Sequence, residues 1–241
     1  MNDQSSGELR VLAIFAHPDD PEFSCAGSAA AWVEQGAHIT YVIVTNGAAG
    51  SNDRDQDIGE LVYIRQAEQR AACAVLGVQE VHFLGYADGT LQASLELRRD
   101  LTRIIRQVKP QRVVVGDPTV YFRGDRYINH PDHRAAGEAA LYAVFPSAVT
   151  RPIFPELLAE GHEPHQVNEI YMTSDRAAIN TFVDISGTIE KKIEALRCHK
   201  SQFDVGDGEW IRKWAVETGG IVGFDYAEAF RVMKLVDEES Q

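Results

Sequence analysis

Val11-Leu12-Ala13-Ile14-Phe15-Ala16-His17-Pro18-Asp19-Asp20 is the stretch on which the reading of the fold rests. Its first half is an unbroken apolar run with no polar alternation, which reads as a strand buried on both faces. Strands of that kind belong to parallel sheets covered by helices. The run ends abruptly in an imidazole and two carboxylates. Open α/β sheets collect their chemistry at the carboxyl ends of strands, so the position of this polar cluster matters as much as its composition.

Outward from this stretch, strands and helices alternate. Residues 28–35 form a small-residue helix closed by Gly36, and 39–45 form a second strand. A polar loop rich in Gly, Asn and Asp fills 46–59, and a helix follows over 64–76 with Gly77 placed as its C′ residue. A short strand is expected at 81–84. Leu97, Leu101, Ile104, Ile105 and Val108 then recur at helical spacing until Pro110 stops them, and 113–115 is a further buried strand. This rhythm predicts an α/β, Rossmann-like fold with a mostly parallel sheet and helices on both faces. The second half is looser. Residues 118–129 read as a polar and aromatic loop, and 146–165, with Pro146, Pro152, Pro155 and Pro164, as an irregular excursion. Strands are expected at 169–173, 181–184 and 230–236, and helices at 188–199 and 210–216. Residues 1–241 read as one domain.

The composition narrows the partners. Acidic residues outnumber basic ones 36 to 23, a formal net charge of -13. That argues against nucleic acid and anionic membranes, both of which need Lys/Arg surfaces. No apolar run approaches the roughly 18 residues of a membrane span. Three widely spaced cysteines, Cys25, Cys73 and Cys198, with no C-x-x-C, fit a reducing compartment. The first ten residues are polar and do not read as a signal peptide. A cytoplasmic protein acting on a small molecule is the expectation, and the excursion leaves room for a homo-oligomer.

A second polar segment, His130-Pro131-Asp132-His133, leads into a helix-like stretch. With the first, it offers two His and one Asp for a divalent ion: His17, Asp20 and His133. Three protein ligands leave a position for water, the arrangement of a hydrolytic zinc (Zn2+) site. Asp19 is then available as general base. His130 is placed to polarise a carbonyl or protonate a leaving group, and Asp132 to hold His130 in its tautomer. A lone Asp-Asp after a strand, by contrast, reads as a helix N-cap. It is the pairing of the two clusters that favours a metal.

These residues resemble the PIG-L/LmbE-like family of zinc-dependent N-deacetylases. H-P-D-D-x-E and H-P-D-H carry the likeness, together with Val42 to Gly47, Arg65-Gln-Ala-Glu68, Phe83 to Gly89, Lys192, His199-Lys-Ser-Gln202 and Tyr226 to Phe230. The resemblance implies zinc on His17, Asp20 and His133, Asp19 as base, and His130 as electrophilic or acid partner. It implies removal of an acetyl group from an N-acetylglucosamine-type amine, with Glu22 in support near the metal. Arg65 and Asp88 match positions facing the sugar, although Arg65 and Glu68 also make an i,i+3 helix pair. Tyr121 and Tyr127, just before His130, are candidates for touching the substrate. Ala26-Gly27-Ser28 departs from the family's G-G-T, and Ser28 is expected to cap its helix.

Two other readings stand beside this one. A metal-dependent ester or phosphoester hydrolase is one, although two-metal phosphoesterases need more ligands. A non-catalytic sugar- or nucleotide-binding module is the other, although G-x-G-x-x-G is absent after the first strand.

Overall fold

The computed structural model describes residues 8–174 and 176–236. The apolar run is β1 (Arg10–Phe15), central in a seven-stranded sheet. The other strands are β2 (His38–Thr45), β3 (Glu80–Tyr86), β4 (Arg112–Gly116), β7 (Glu169–Thr173), β8 (Thr181–Asp184) and β9 (Ala227–Lys234). Their order is β3-β2-β1-β4-β7-β9-β8. The first five are mutually parallel, and β9 and β8 add antiparallel neighbours. Strand order reverses at β1, whose neighbours are β2 and β4. The crevice beyond their carboxyl ends is where such sheets bind ligands.

Alternation along β1 explains the two layers. Leu12 and Ile14 face one core with Leu97, Leu101 and Ile105 of α4 (Leu95–Val108) and Ala136, Ala139 and Ala140 of α5 (Pro131–Tyr142). Val11, Ala13 and Phe15 face the other core. It contains Ala29 and Trp32 of α2 (Ala26–Glu34), Ala72 and Leu76 of α3 (Ile58–Leu76) and Ala195 of α7 (Ile189–Arg197). A smaller cluster joins α7 to α8 (Glu209–Gly219) through Ile189, Ile193 and Ile211. The mostly parallel sheet with helices on both faces is as the sequence predicts.

Local differences have identifiable causes. The helix expected over 64–76 starts at Ile58, because the Asp57 side chain accepts from the Glu60 backbone N–H and caps it. Gly77 ends it in the left-handed region at φ 77°, as expected. The loop 118–129 contains a hairpin of β5 (Phe122–Arg123) and β6 (Tyr127–Ile128). The excursion after α5 is not structureless. It holds a π-helical stretch, Ala143–Ala148, and the short helix α6 (Glu156–Ala159). Buried Arg106 of α4 collects its free carbonyls, donating to Ser147, Ala148, Thr150 and Ile153. Ser28 does not cap α2. The N-terminal amides of Gly27 and Ser28 donate instead to the Glu228 carboxylate of β9, at 3.1 and 2.8 Å. No helix among the described residues is long and apolar enough to cross a membrane.

Candidate metal centre and active site

His17 leaves the carboxyl end of β1, and Asp19 and Asp20 begin α1 (Asp20–Ser24). The Asp-Asp pair is not a side-chain cap, since α1 has none. Asp20 Oδ2 accepts the His17 backbone N–H at 2.8 Å and lies 3.3 Å from His17 Nδ1, and Oδ1 lies 3.0 Å from His133 Nε2. One carboxylate therefore sits between two imidazoles from distant segments. The outer nitrogens are held as well. His17 Nε2 faces Asp88 Oδ1 at 3.1 Å and Asp132 Oδ2 at 3.4 Å, and His133 Nδ1 faces Asn129 Oδ1 at 3.1 Å. That leaves His17 Nδ1 and His133 Nε2 as the two nitrogens turned towards Asp20.

The expectation for Asp132 needs correcting. Its carboxylate does not meet the His130 ring. It accepts from the backbone of Gly89 at 2.7 Å and Leu91 at 3.0 Å, and faces His17. What His130 receives from Asp132 is the backbone N–H, 3.2 Å from its Nδ1, an arrangement that caps α5. With Nδ1 accepting, a neutral His130 carries its proton on Nε2. Its ring stands edge-on to His17 at 4.7 Å and lies 5.3 Å from that of His133.

Arg65 is likewise placed differently from a substrate-facing residue. It is 3% exposed, and its guanidinium donates to Gly47 O, Pro18 O and Asp19 Oδ2, at 2.8, 2.8 and 3.2 Å. Gly47 has φ 68°, and a Cβ there would stand 2.9 Å from the Arg65 head, so only glycine fits the clamp. The Asp88 side chain is almost wholly covered, bonded to Ala49 N and His17. Tyr127 borders a cavity of about 660 Å³ with Asp20, His133, Asn129, Arg123 and Asp117. Phe23, Trp210 and Trp214 form its aromatic wall. Tyr121 instead packs its ring under Arg134.

Electrostatics suit a cation. Burial opposes charge on His17, but Asp20, Asp132 and Asp88 outweigh it and push its pKa up to about 12. Asp20 is held well below the usual carboxylate range, because the imidazoles of His133 and His17 outweigh its burial. Asp19 is pushed up to about 7 by burial and by Asp20, against Arg65. His130 is lowered by burial and by His17. Three carboxylates around one imidazole carry surplus negative charge of the kind a divalent ion neutralises. Donor atoms of His17, His130 and His133, and of His17, Asp88 and Asp132, form two groups each within 4.8 Å.

Residues 12–144, more than half of the chain, match the family described as PIG-L: GlcNAc-PI de-N-acetylase. The chain belongs to the PIG-L family. Among its relatives is a diacetylchitobiose deacetylase of Thermococcus kodakarensis, 31% identical over 237 residues, covering 96% of this chain and 85% of the relative. Another is a probable N-acetyl-alpha-D-glucosaminyl L-malate deacetylase 2 of Bacillus anthracis, 31% identical, covering 81% and 82%. The crystallised N,N'-diacetylchitobiose deacetylase of Pyrococcus horikoshii superposes with a TM-score of 0.86 at 32% identity, covering 95% of this chain and 85% of that one.

Sequence reasoning missed two members of the site. Asn129 directly precedes the H-P-D-H segment and had only its position to betray it. Gln69 accepts the Asp19 N–H from one turn beyond Arg65 on α3, and only the fold brings it there.

Proposed function

We propose that this chain is a zinc-dependent N-deacetylase. It removes the acetyl group from an N-acetylglucosamine-type or related N-acyl amine, with His17, Asp20 and His133 as ligands. The observation that carries the reading is Asp20 set between His17 Nδ1 and His133 Nε2, with both outer nitrogens held by carboxylate or amide oxygen. Outer partners of that kind are how proteins aim metal-bound imidazoles. The family and its deacetylase relatives support the same activity. Unpaired Cys25, Cys73 and Cys198 agree with a cytoplasmic location.

Zinc held by His17, Asp20 and His133 would supply polarisation of the acetyl carbonyl and would lower the pKa of water towards neutrality. The chain supplies the rest. Asp19, close to the ligand turn and steadied by Arg65, takes the proton of the attacking water and returns it to the departing amine. Its raised pKa suits both halves of that transfer. His130, neutral and carrying its proton on Nε2, donates to the oxyanion as it develops. Asp132 acts through His17, whose Nε2–H it receives. Tyr127 and the wall of Trp210 and Trp214 line the space in which the sugar lies. Aromatic faces there suit the C–H face of a pyranose ring.

The test is acetate release from a panel of N-acetylglucosamine derivatives on metal-analysed protein, beside Asp19→Asn. Loss of about 10²–10⁴-fold in kcat, with zinc still near one per chain, is the expected result. A variant within twofold of the parent would remove Asp19 from the base role.

A further inference from the structure

Behind Asp19 runs a buried chain of polar groups that the proposed chemistry does not use. The Asp19 backbone N–H donates to Gln69 Oε1 at 3.0 Å, Gln69 Nε2 donates to Glu22 Oε1 at 2.9 Å, and Glu22 Oε2 meets His199 Nε2 at 3.1 Å. Gln69, Glu22 and His199 are each 0% exposed. They come from α3, from α1 and from the segment just after α7, so three separate elements converge on one backbone amide. Burying a carboxylate is expensive unless it is fully hydrogen-bonded. His199 Nδ1 has no partner at all. A cluster this costly to assemble needs a reason, and packing alone would be met by apolar groups.

The order of donors and acceptors supplies that reason. A glutamine amide can turn either its oxygen or its nitrogen towards a neighbour, and only the oxygen satisfies an N–H. Glu22 accepts on both oxygens, so it binds only the NH2 end of Gln69 and forces Oε1 towards Asp19. His199 Nε2–H fixes the far oxygen of Glu22 in turn. The amide so gripped belongs to a residue in an unusual backbone state: Asp19 has φ 100° and ψ -30° without being glycine. In this conformation its carboxylate turns to Arg65 at 3.2 Å and does not cap α1.

We propose that Gln69, oriented by Glu22 and His199, is the positioning residue that keeps Asp19 in this conformation and so aims the carboxylate of the base. The inference rests on the reading of Asp19 as general base. Gln69 does not border the cavity, and its hydrogen bond to the ligand turn goes to the Asp19 backbone N–H. Its loss therefore changes the direction of the base, and leaves substrate affinity and metal content as they were.

Gln69→Met keeps the length and packing of the side chain but removes the acceptor. The expected result is a fall in kcat of about 10- to 100-fold, with KM and zinc content unchanged. In metal-free protein, the Asp19 amide hydrogen exchanges faster than in the parent. Gln69→Glu sets two carboxylates against each other and is also slow. Adding Glu22→Gln to that variant restores the donor–acceptor order: the introduced amide donates to the introduced carboxylate, which accepts the Asp19 N–H. Turnover is then expected to recover. The proposal is overturned if Gln69→Met keeps the parental kcat whatever its melting temperature. It also fails if Asp19 amide exchange is unaltered, or if the double variant stays as slow as Gln69→Glu. Asp19→Asn run alongside separates the two claims. Full activity there removes the base itself, whereas an inactive Asp19→Asn beside a fully active Gln69→Met removes only the positioning role.

Discussion

At the scale of single residues, the proposed ligands are held through the nitrogens that face away from Asp20. Asn129 accepts from His133 Nδ1 and is itself fixed by donating to Val120 O at 2.8 Å. Asn129→Leu leaves that nitrogen without its partner. Metal affinity is expected to fall about 10- to 100-fold, as for other outer partners of ligating histidines. Competition against a chromogenic chelator measures it, and unchanged affinity would show the contact to be idle. The two polar motifs were legible in sequence because each packs its donors within four residues, so local turns bring them together. The partners were not. Gln69 reaches Asp19 across 50 positions, His199 reaches Glu22 across 177, and Glu228 reaches Ser28 across 200. Arg65 was ambiguous for a related reason. A cation on a helix face reads equally as a surface pair or a substrate contact, and only burial against Gly47 and Pro18 makes it a clamp.

At the scale of elements, α5 carries His133 and is capped by His130, so its seat on β4 sets where they lie. Gly137 makes that seat possible: a Cβ there would stand 2.3 Å from the backbone oxygen of Gly116. Gly137→Ala must push α5 off the sheet, at about 1–3 kcal/mol for an overpacked contact. The helix moves with its histidines, and turnover is expected to fall with stability. Ser94→Ala is the control. It removes the side-chain cap of α4, which accepts from Leu97 N at 3.1 Å, and costs about 1 kcal/mol. No residue of α4 borders the cavity, so kcat should hold. Equal kcat in both variants, by acetate release beside thermal melts, would show that the seat of α5 does not aim the site. The long elements of this sheet were readable from apolar runs and helical spacing. The hairpin β5–β6 was not, because two residues per strand carry no periodicity. The start of α3 was hidden in a charged segment, where its Asp57-x-x-Glu60 cap is the surest signal.

At the scale of the whole molecule, the chain carries a net charge of -13, and part of that excess is concentrated at the carboxyl edge of the sheet. Asp88 and Asp132 lie below the usual carboxylate range because hydrogen bonds to His17 outweigh their burial. Lowered carboxylates stabilise the folded state above their unfolded pKa near 4, and that contribution is lost as pH falls through the lower folded value. Metal adds a second, steeper dependence. An ion that binds only the folded chain stabilises it by about 2.7 kcal/mol at 100 times its dissociation constant. For a chain of this length that is roughly 5–10 °C in melting temperature. Its imidazole ligands must be unprotonated to bind, and Asp20, Asp132 and Asp88 favour the protonated form of His17, so protons compete with the ion and the gain should shrink as pH falls. Zinc is therefore expected to raise the melting temperature at pH 7.5, to raise it less at pH 5.5, and to leave His133→Ala unmoved at either. Asp117 gives an internal reference, because its carboxylate bonds Thr119 and Ser174 and none of the proposed ligands. Ser174 and Thr119 hold its carboxyl low against burial, so Asp117→Asn should flatten the acid side of the stability curve while keeping the zinc increment. A zinc increment equal in the parent and in His133→Ala would mean that the ion binds elsewhere, and the charge excess at the sheet edge would need another explanation.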